Sequence, residues 1–111
     1  PLTVTTEQTG TPTKANDLAN AILTIIKSDH KAYGIYHFSN LGQATWFDFA
    51  KEILRQTNQL TETNLAKTDY YRTFAARPKF SVLNTNKINT TFTNLTFDWR
   101  LSLKELTINF N

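Results

Sequence analysis

Thr45 and Asp48 stand three residues apart at the head of a helical run. Within it Trp46, Phe49, Ala50, Ile53 and Leu54 keep one face as far as about Gln56. The Thr45 hydroxyl can accept from the amide of Asp48, and the Asp48 carboxylate can reach back to the amide of Thr45. Asp is a shorter partner than Glu in such a capping box, yet the helix start is fixed. Upstream, Gly34-Ile35-Tyr36-His37-Phe38-Ser39 is rich in aromatic and β-branched residues and reads as a strand. Asn40-Leu41-Gly42-Gln43 is the turn between them. A strand, a short turn and a well-capped helix make up α/β material.

The same order occurs earlier in the chain. Leu2-Thr3-Val4-Thr5 alternates apolar and polar residues, as a half-buried strand does. Gly10-Thr11-Pro12-Thr13 is a loop, and Thr13 is placed to cap a helix over about residues 14–28. Leu18, Ile22, Ile25 and Ile26 fall on one face of that helix, with Asp17 early and Lys27 late to suit its dipole. The stretch from Asn58 to Asn64 reads as a loop, and Leu65 to Phe74 as extended chain with one short strand. Ala75-Ala76-Arg77-Pro78 is a loop, because the residue before proline is pushed out of helical space. Ser81-Val82-Leu83 reads as a short strand. Asn84 or Thr85 caps a short helix through Lys87, Ile88 and Phe92. A last helix is expected from about Asp98 to Asn109, with Trp99, Leu103, Leu106 and Phe110 at i, i+4, i+7 and i+11. The expected fold is therefore α/β, or an α+β-like fragment, with few short strands and about four helices. Strands with unpaired edges suggest that a larger partner sheet lies elsewhere.

Composition removes several function classes. The 111 residues hold no Cys, which excludes a disulfide scaffold, a thiol nucleophile and a Cys-ligated zinc or iron–sulfur site. Twelve Lys and Arg against nine Asp and Glu give a net charge of +3. Those charges are scattered, so no nucleic-acid partner is expected. The apolar runs fall far short of the ~20 residues of a membrane span, and no membrane partner is expected. Aromatics at 13% argue for a packed core. The chain has no Met and begins at Pro1, as a processed protein or a piece of a longer one would.

Catalytic motifs are missing. Three glycines cannot build a Gly-x-Gly-x-x-Gly or Walker-type loop. No Tyr is followed four residues later by Lys, and there is no Gly-x-Ser-x-Gly elbow. His30 and His37 lack metal-ligand spacing, so no metal site is expected. Asp48 and Glu52 could share a helix face, but Asp48 reads as a cap and Glu52 as solvated. Tyr70-Tyr71-Arg72 could stack a base or sugar, or could simply pack. Arg77 beside Pro78 suits bidentate phosphate recognition, with a surface ion pair as the alternative. Gly10-Thr11-Pro12-Thr13 ends a strand and opens a helix. Free amides and hydroxyls there could meet an anionic or polyhydroxy ligand, or the segment could be an ordinary connection.

Four blocks carry a family resemblance. Residues Val4 to Thr13 resemble the "Val-x-Asp-Gln-x-Gly-x-Pro-Thr" segment of dTDP-4-dehydrorhamnose reductases. Gly34-Ile35-Tyr36-His37 with Thr45-Trp46-Phe47-Asp48-Phe49-Ala50 resembles that family's "Gly-x-Tyr-His" strand and following helix. Ala76-Arg77-Pro78-Lys79-Phe80-Ser81-Val82-Leu83-Asn84-Thr85-Asn86-Lys87 resembles "Arg-Pro-x-x-Ser-x-Leu-Asp-Thr-x-Lys", and Asp98-Trp99-Arg100 with Leu103 resembles the closing helix. Glu7 and Asn84 stand where Asp is usual in that family.

The resemblance implies that residues 1–111 are the C-terminal substrate-binding part of an extended short-chain dehydrogenase/reductase. The Rossmann domain that binds NADPH or NADH and carries the catalytic Tyr and Lys would lie N-terminal to them. It implies a bacterial, cytoplasmic enzyme of dTDP-rhamnose and cell-surface polysaccharide synthesis, with a dTDP-sugar as ligand. Gln8, Gly10, Thr11, Pro12 and Thr13 would face the substrate, with Arg77 and Pro78 near its nucleotide end. No catalytic or cofactor-binding residue is expected in this chain, which should be inactive alone. It should also self-associate through the surface meant for the Rossmann domain. Two alternatives stay open. One is another NAD(P)-dependent nucleotide-sugar reductase or epimerase, or a non-catalytic regulatory homologue. The other is an autonomous protein-interaction module.

Overall fold

The computed structural model describes residues 2–60, 65–68, 74–93 and 95–108. Among them are four short strands and four helices. In chain order these are β1 (Leu2–Thr5), β2 (Thr9–Gly10), α1 (Ala15–Lys27), β3 (Ala44–Thr45), α2 (Trp46–Gln56), β4 (Leu65–Thr68), α3 (Asn86–Thr91) and α4 (Trp99–Thr107). The α/β expectation holds.

The strands form two small sheets. β1 pairs in parallel with β4, in register from Leu2 opposite Leu65 to Thr5 opposite Thr68. Thr6 continues the ladder by donating its amide to the Thr68 carbonyl at 2.7 Å. β2 pairs antiparallel with β3. Thr9 also bridges to Phe80, with Thr9 N–H donating to Lys79 O and Ser81 N–H donating to Thr9 O, both at 2.8 Å. The strand expected over Ser81–Leu83 is thus displaced. Pairing centres on Phe80 and goes no further, because β2 is only two residues long.

The strand expected over Gly34–Ser39 is not formed. This segment runs without a ladder, since no described segment lies beside it as a partner. Its side chains still pack: Tyr36 and Phe38 lie against the buried cluster of Ala21, Ile88, Phe92 and Leu95. A second cluster holds Ala44, Trp99 and Leu103, with Phe49 and Ile53 against it.

The capping box of α2 forms in both directions. Thr45 Oγ1 accepts from Asp48 N–H at 3.1 Å, and Thr45 N–H donates to Asp48 Oδ2 at 2.9 Å. α4 is capped by Asp98, whose carboxylate accepts from Arg100 N–H at 2.8 Å. Its buried face is Trp99, Ser102, Leu103 and Thr107, while Leu106, which the helical spacing aligned with Trp99 and Leu103, is exposed. The cause is a polar seam, in which the Thr107 hydroxyl donates to Gln56 Oε1 on α2 at 2.7 Å. Phe110 lies outside the described residues.

α1 departs most from expectation. Its N-cap is Lys14 and not Thr13. The Thr13 hydroxyl is already engaged, donating to Thr11 O and accepting from Asn40 N–H. Of the helix only Ala21 is buried, while Leu18, Ile22 and Ile26 of the apolar face are exposed.

Candidate functional site

The segment between β2 and α1 is the natural place to start, because four of its residues have backbone or side-chain restraints. Gly10 lies close to the Ser81 side chain: a Cβ there would sit 3.0 Å from Ser81 Oγ, so the serine hydroxyl would have to give way to any side chain. The Thr11 hydroxyl donates to the Gly42 carbonyl at 2.6 Å, tying this loop to the turn before α2. Pro12 follows with its φ fixed by its ring. The Thr13 hydroxyl closes the loop on Thr11 O at 3.0 Å.

Beneath the loop lies Asn40, which is 2% exposed. Its Oδ1 accepts from Lys14 N–H at 2.8 Å and so caps α1 from a distant part of the chain. Its Nδ2 donates to Asp17 Oδ2 at 2.8 Å. The same carboxylate oxygen accepts from the Ser102 hydroxyl of α4 at 2.5 Å. Thr13, Asn40, Asp17 and Ser102 therefore form one polar chain that fixes the loop against α1 and α4. Buried polar groups cost free energy unless partnered, so this chain of bonds specifies one arrangement of the loop.

Above the loop opens a cleft of about 530 Å³, within the range of small-molecule sites. Gln8, Gly10, Thr11, Pro12 and Thr13 line one side, and Arg77 and Pro78 line it from the far half of the sequence. The structure thus brings together all seven residues singled out from the sequence. Arg77 is exposed, and it makes no ion pair among the described residues. Tyr70, Tyr71 and Arg72 lie outside the described residues.

The lining also includes Trp46 and Phe49, which the helical period had set on one face of α2, and Thr45 and Ser81. The signal for Trp46 was present in the capping box. A first-turn residue beside the cap projects toward the preceding turn, so its indole reaches the cleft while Phe47 turns inward. Trp46 Nε1–H donates to Gln8 Oε1 at 3.2 Å, which joins the two sides of the site.

The two carboxylates of α2 are structural. Asp48 caps α2 as expected. Glu52 is not simply solvated: it takes a bidentate contact from Arg55 and a hydrogen bond from Gln56 Nε2 at 2.9 Å. The Arg55 contact holds the Glu52 carboxyl below its usual range against the opposing effect of burial. His30 sets its ring edge against Phe92, and among the described residues no group of three His, Asp or Glu gathers as a metal site would need. Nor is any described helix long and apolar enough to cross a membrane.

A family model described as RmlD substrate binding domain matches residues 1–111. A dTDP-4-dehydrorhamnose reductase of Sinorhizobium fredii is 32% identical over 114 residues, covering 95% of this chain and 38% of that protein. A probable dTDP-4,6-dihydroxy-2-methyloxan-3-one 4-ketoreductase of Streptomyces antibioticus is 34% identical, covering 92% of this chain and 35% of that protein. The solved dTDP-4-dehydrorhamnose reductase of Bacillus anthracis, in complex with NADP, superposes with a TM-score of 0.84 at 32% identity, over 99% of this chain and 38% of that one. The chain therefore spans well under half the length of the relatives it matches.

Proposed function

We propose, from the premise that this chain belongs to the RmlD substrate binding domain family, that it holds the sugar nucleotide in an NADPH-dependent reductase of dTDP-4-dehydro-L-rhamnose. The observation that supports this most directly is the meeting of Gln8, Gly10 to Thr13, Arg77 and Pro78 in one cleft. The cleft offers what such a ligand needs. Arg77 supplies a fixed positive charge for a diphosphate, and a guanidinium matches phosphate oxygens in pairs. The Thr11 hydroxyl, its proton given to the Gly42 carbonyl, keeps lone pairs that can accept from a polyhydroxy ring.

In this reading the chain binds and orients, and chemistry is completed from outside it. Hydride passes from the nicotinamide to C4 of the sugar, the carbonyl becomes an alcohol, and a proton reaches its oxygen from a Tyr. The chain has no Tyr-x-x-x-Lys and no glycine-rich dinucleotide loop. A preceding Rossmann domain would provide both, and the working protein would be cytoplasmic. This chain's part is to place C4 at hydride distance and to keep the cleft loop rigid through Asn40.

The test is made on the full-length protein that contains these residues. It should oxidise NADPH when given dTDP-4-dehydro-L-rhamnose, while residues 1–111 alone should not. No turnover by the full-length protein would sink the proposal. The Streptomyces antibioticus relative, named as a 4-ketoreductase of a different dTDP-sugar, supports a second reading with the same chemistry on another 4-keto sugar. Faster turnover of such a sugar than of the rhamnose precursor would select it.

A further inference from the structure

Trp46 is 54% exposed although it sits beside a buried Phe47 at the start of a well-capped helix. Three restraints hold it. The Thr45–Asp48 box fixes its backbone. Its indole N–H is satisfied by Gln8 Oε1 at 3.2 Å. Phe49 meets it edge-on, with ring centroids 6.2 Å apart and planes at 70°, and Phe49 is backed in turn by the buried Trp99 at 6.1 Å. The line Trp46–Phe49–Trp99 thus runs from the second core cluster out to the cleft. Such exposure of an indole does little for the stability of the chain. With its N–H bonded and one side met by Phe49, the exposed remainder of the ring is what it offers the cleft.

That ring lines the same cleft as Arg77. A fixed cation and a rigid aromatic face in one site are the two features that a nucleotide uses, one for phosphate and one for base. We propose that Trp46 is the stacking wall for the pyrimidine base of the sugar nucleotide, with Gln8 setting the tilt of the indole. The assignment rests on the sugar-nucleotide reading above and names a contact which that reading leaves open.

The experiment uses the full-length protein as wild type, Trp46→Phe and Trp46→Ala, titrated calorimetrically with dTDP and, separately, with inorganic pyrophosphate. Trp46→Ala should weaken dTDP about tenfold, as loss of one base stack does. It should leave pyrophosphate within about twofold, and Trp46→Phe should recover most of the lost dTDP affinity. Unchanged dTDP binding in Trp46→Ala overturns the assignment. Equal losses for both ligands also overturn it, since the indole would then only shape the cleft. Unchanged dTDP binding with a raised KM for the dTDP-sugar would set the ring against the hexose, and overturns it too. A wild-type protein that fails to bind dTDP overturns the sugar-nucleotide reading and this assignment together, which distinguishes that failure from one confined to the variants.

Discussion

Arg77 and Asn40 show two ways in which a single residue matters to one cleft. Arg77 is exposed and acts, if the proposed function holds, on the ligand alone. Arg77→Ala should therefore raise KM for the dTDP-sugar about tenfold with little change in kcat, the loss of roughly one charge-assisted hydrogen bond. An unchanged KM removes Arg77 from the site. Asn40 is 2% exposed and acts on the protein. Asn40→Ala would strand the Lys14 amide and take one donor from the Asp17 carboxylate, and should cost about 1–3 kcal/mol of stability in thermal or urea unfolding. Stability within error of wild type would show that water replaces the amide there. The sequence pointed to Arg77 through its proline neighbour and its family block. It gave no sign of Asn40, because a buried side-chain cap reached from a remote turn has no local spacing to betray it.

At the scale of elements, α2 was legible because its stop and start signals are local. Thr45→Ala should cost about 1 kcal/mol, the usual worth of an N-cap, and a change below a few tenths would mean that the box contributes nothing. The Glu52–Arg55 contact on the same helix makes stability depend on pH. The folded carboxyl titrates below its ordinary value of 4.5, so its contribution is complete above that pH and is lost as pH falls through the lowered value. The effect is small because Arg55 is exposed and the pair is screened by solvent. Urea midpoints of wild type and Glu52→Gln should thus differ more at pH 7 than at pH 3, and parallel curves would rule the contact out. The elements that sequence reading missed depend on partners. Gly34–Ser39 has strand composition but no ladder, and α1 buries Ala21 and packs Ile25 against the first cluster while Leu18, Ile22 and Ile26 stay exposed. Periodicity identifies which residues want burial, and does not say what will bury them.

The whole molecule is broad and thin, 51 × 36 × 20 Å, with a radius of gyration of 16.4 Å. A compact domain of this length has about 13 Å. Leu18, Ile22 and Ile26 of α1 and Tyr33 and Ile35 after it leave a wide apolar surface open. Residues 1–111 alone should associate through it, giving sedimentation coefficients that rise with concentration, and Ile22→Glu with Ile26→Glu should return the chain toward monomer. A monomer at every concentration would contradict this. The parallel pairing of β1 with β4 has a further consequence. Parallel neighbours cannot zip from a hairpin, and here both α1 and α2 lie in the connecting chain. Within residues 1–111, β1 meets β4 only when more than half of the sequence has been brought back to it, and that closure carries an entropic cost before any bond of this ladder is made. Refolding of residues 1–111 should accordingly be slowed by long-range searches, this register together with the Thr9–Phe80 and Leu41–Asp98 bridges, with strand edges at risk of wrong partners for as long as the searches last.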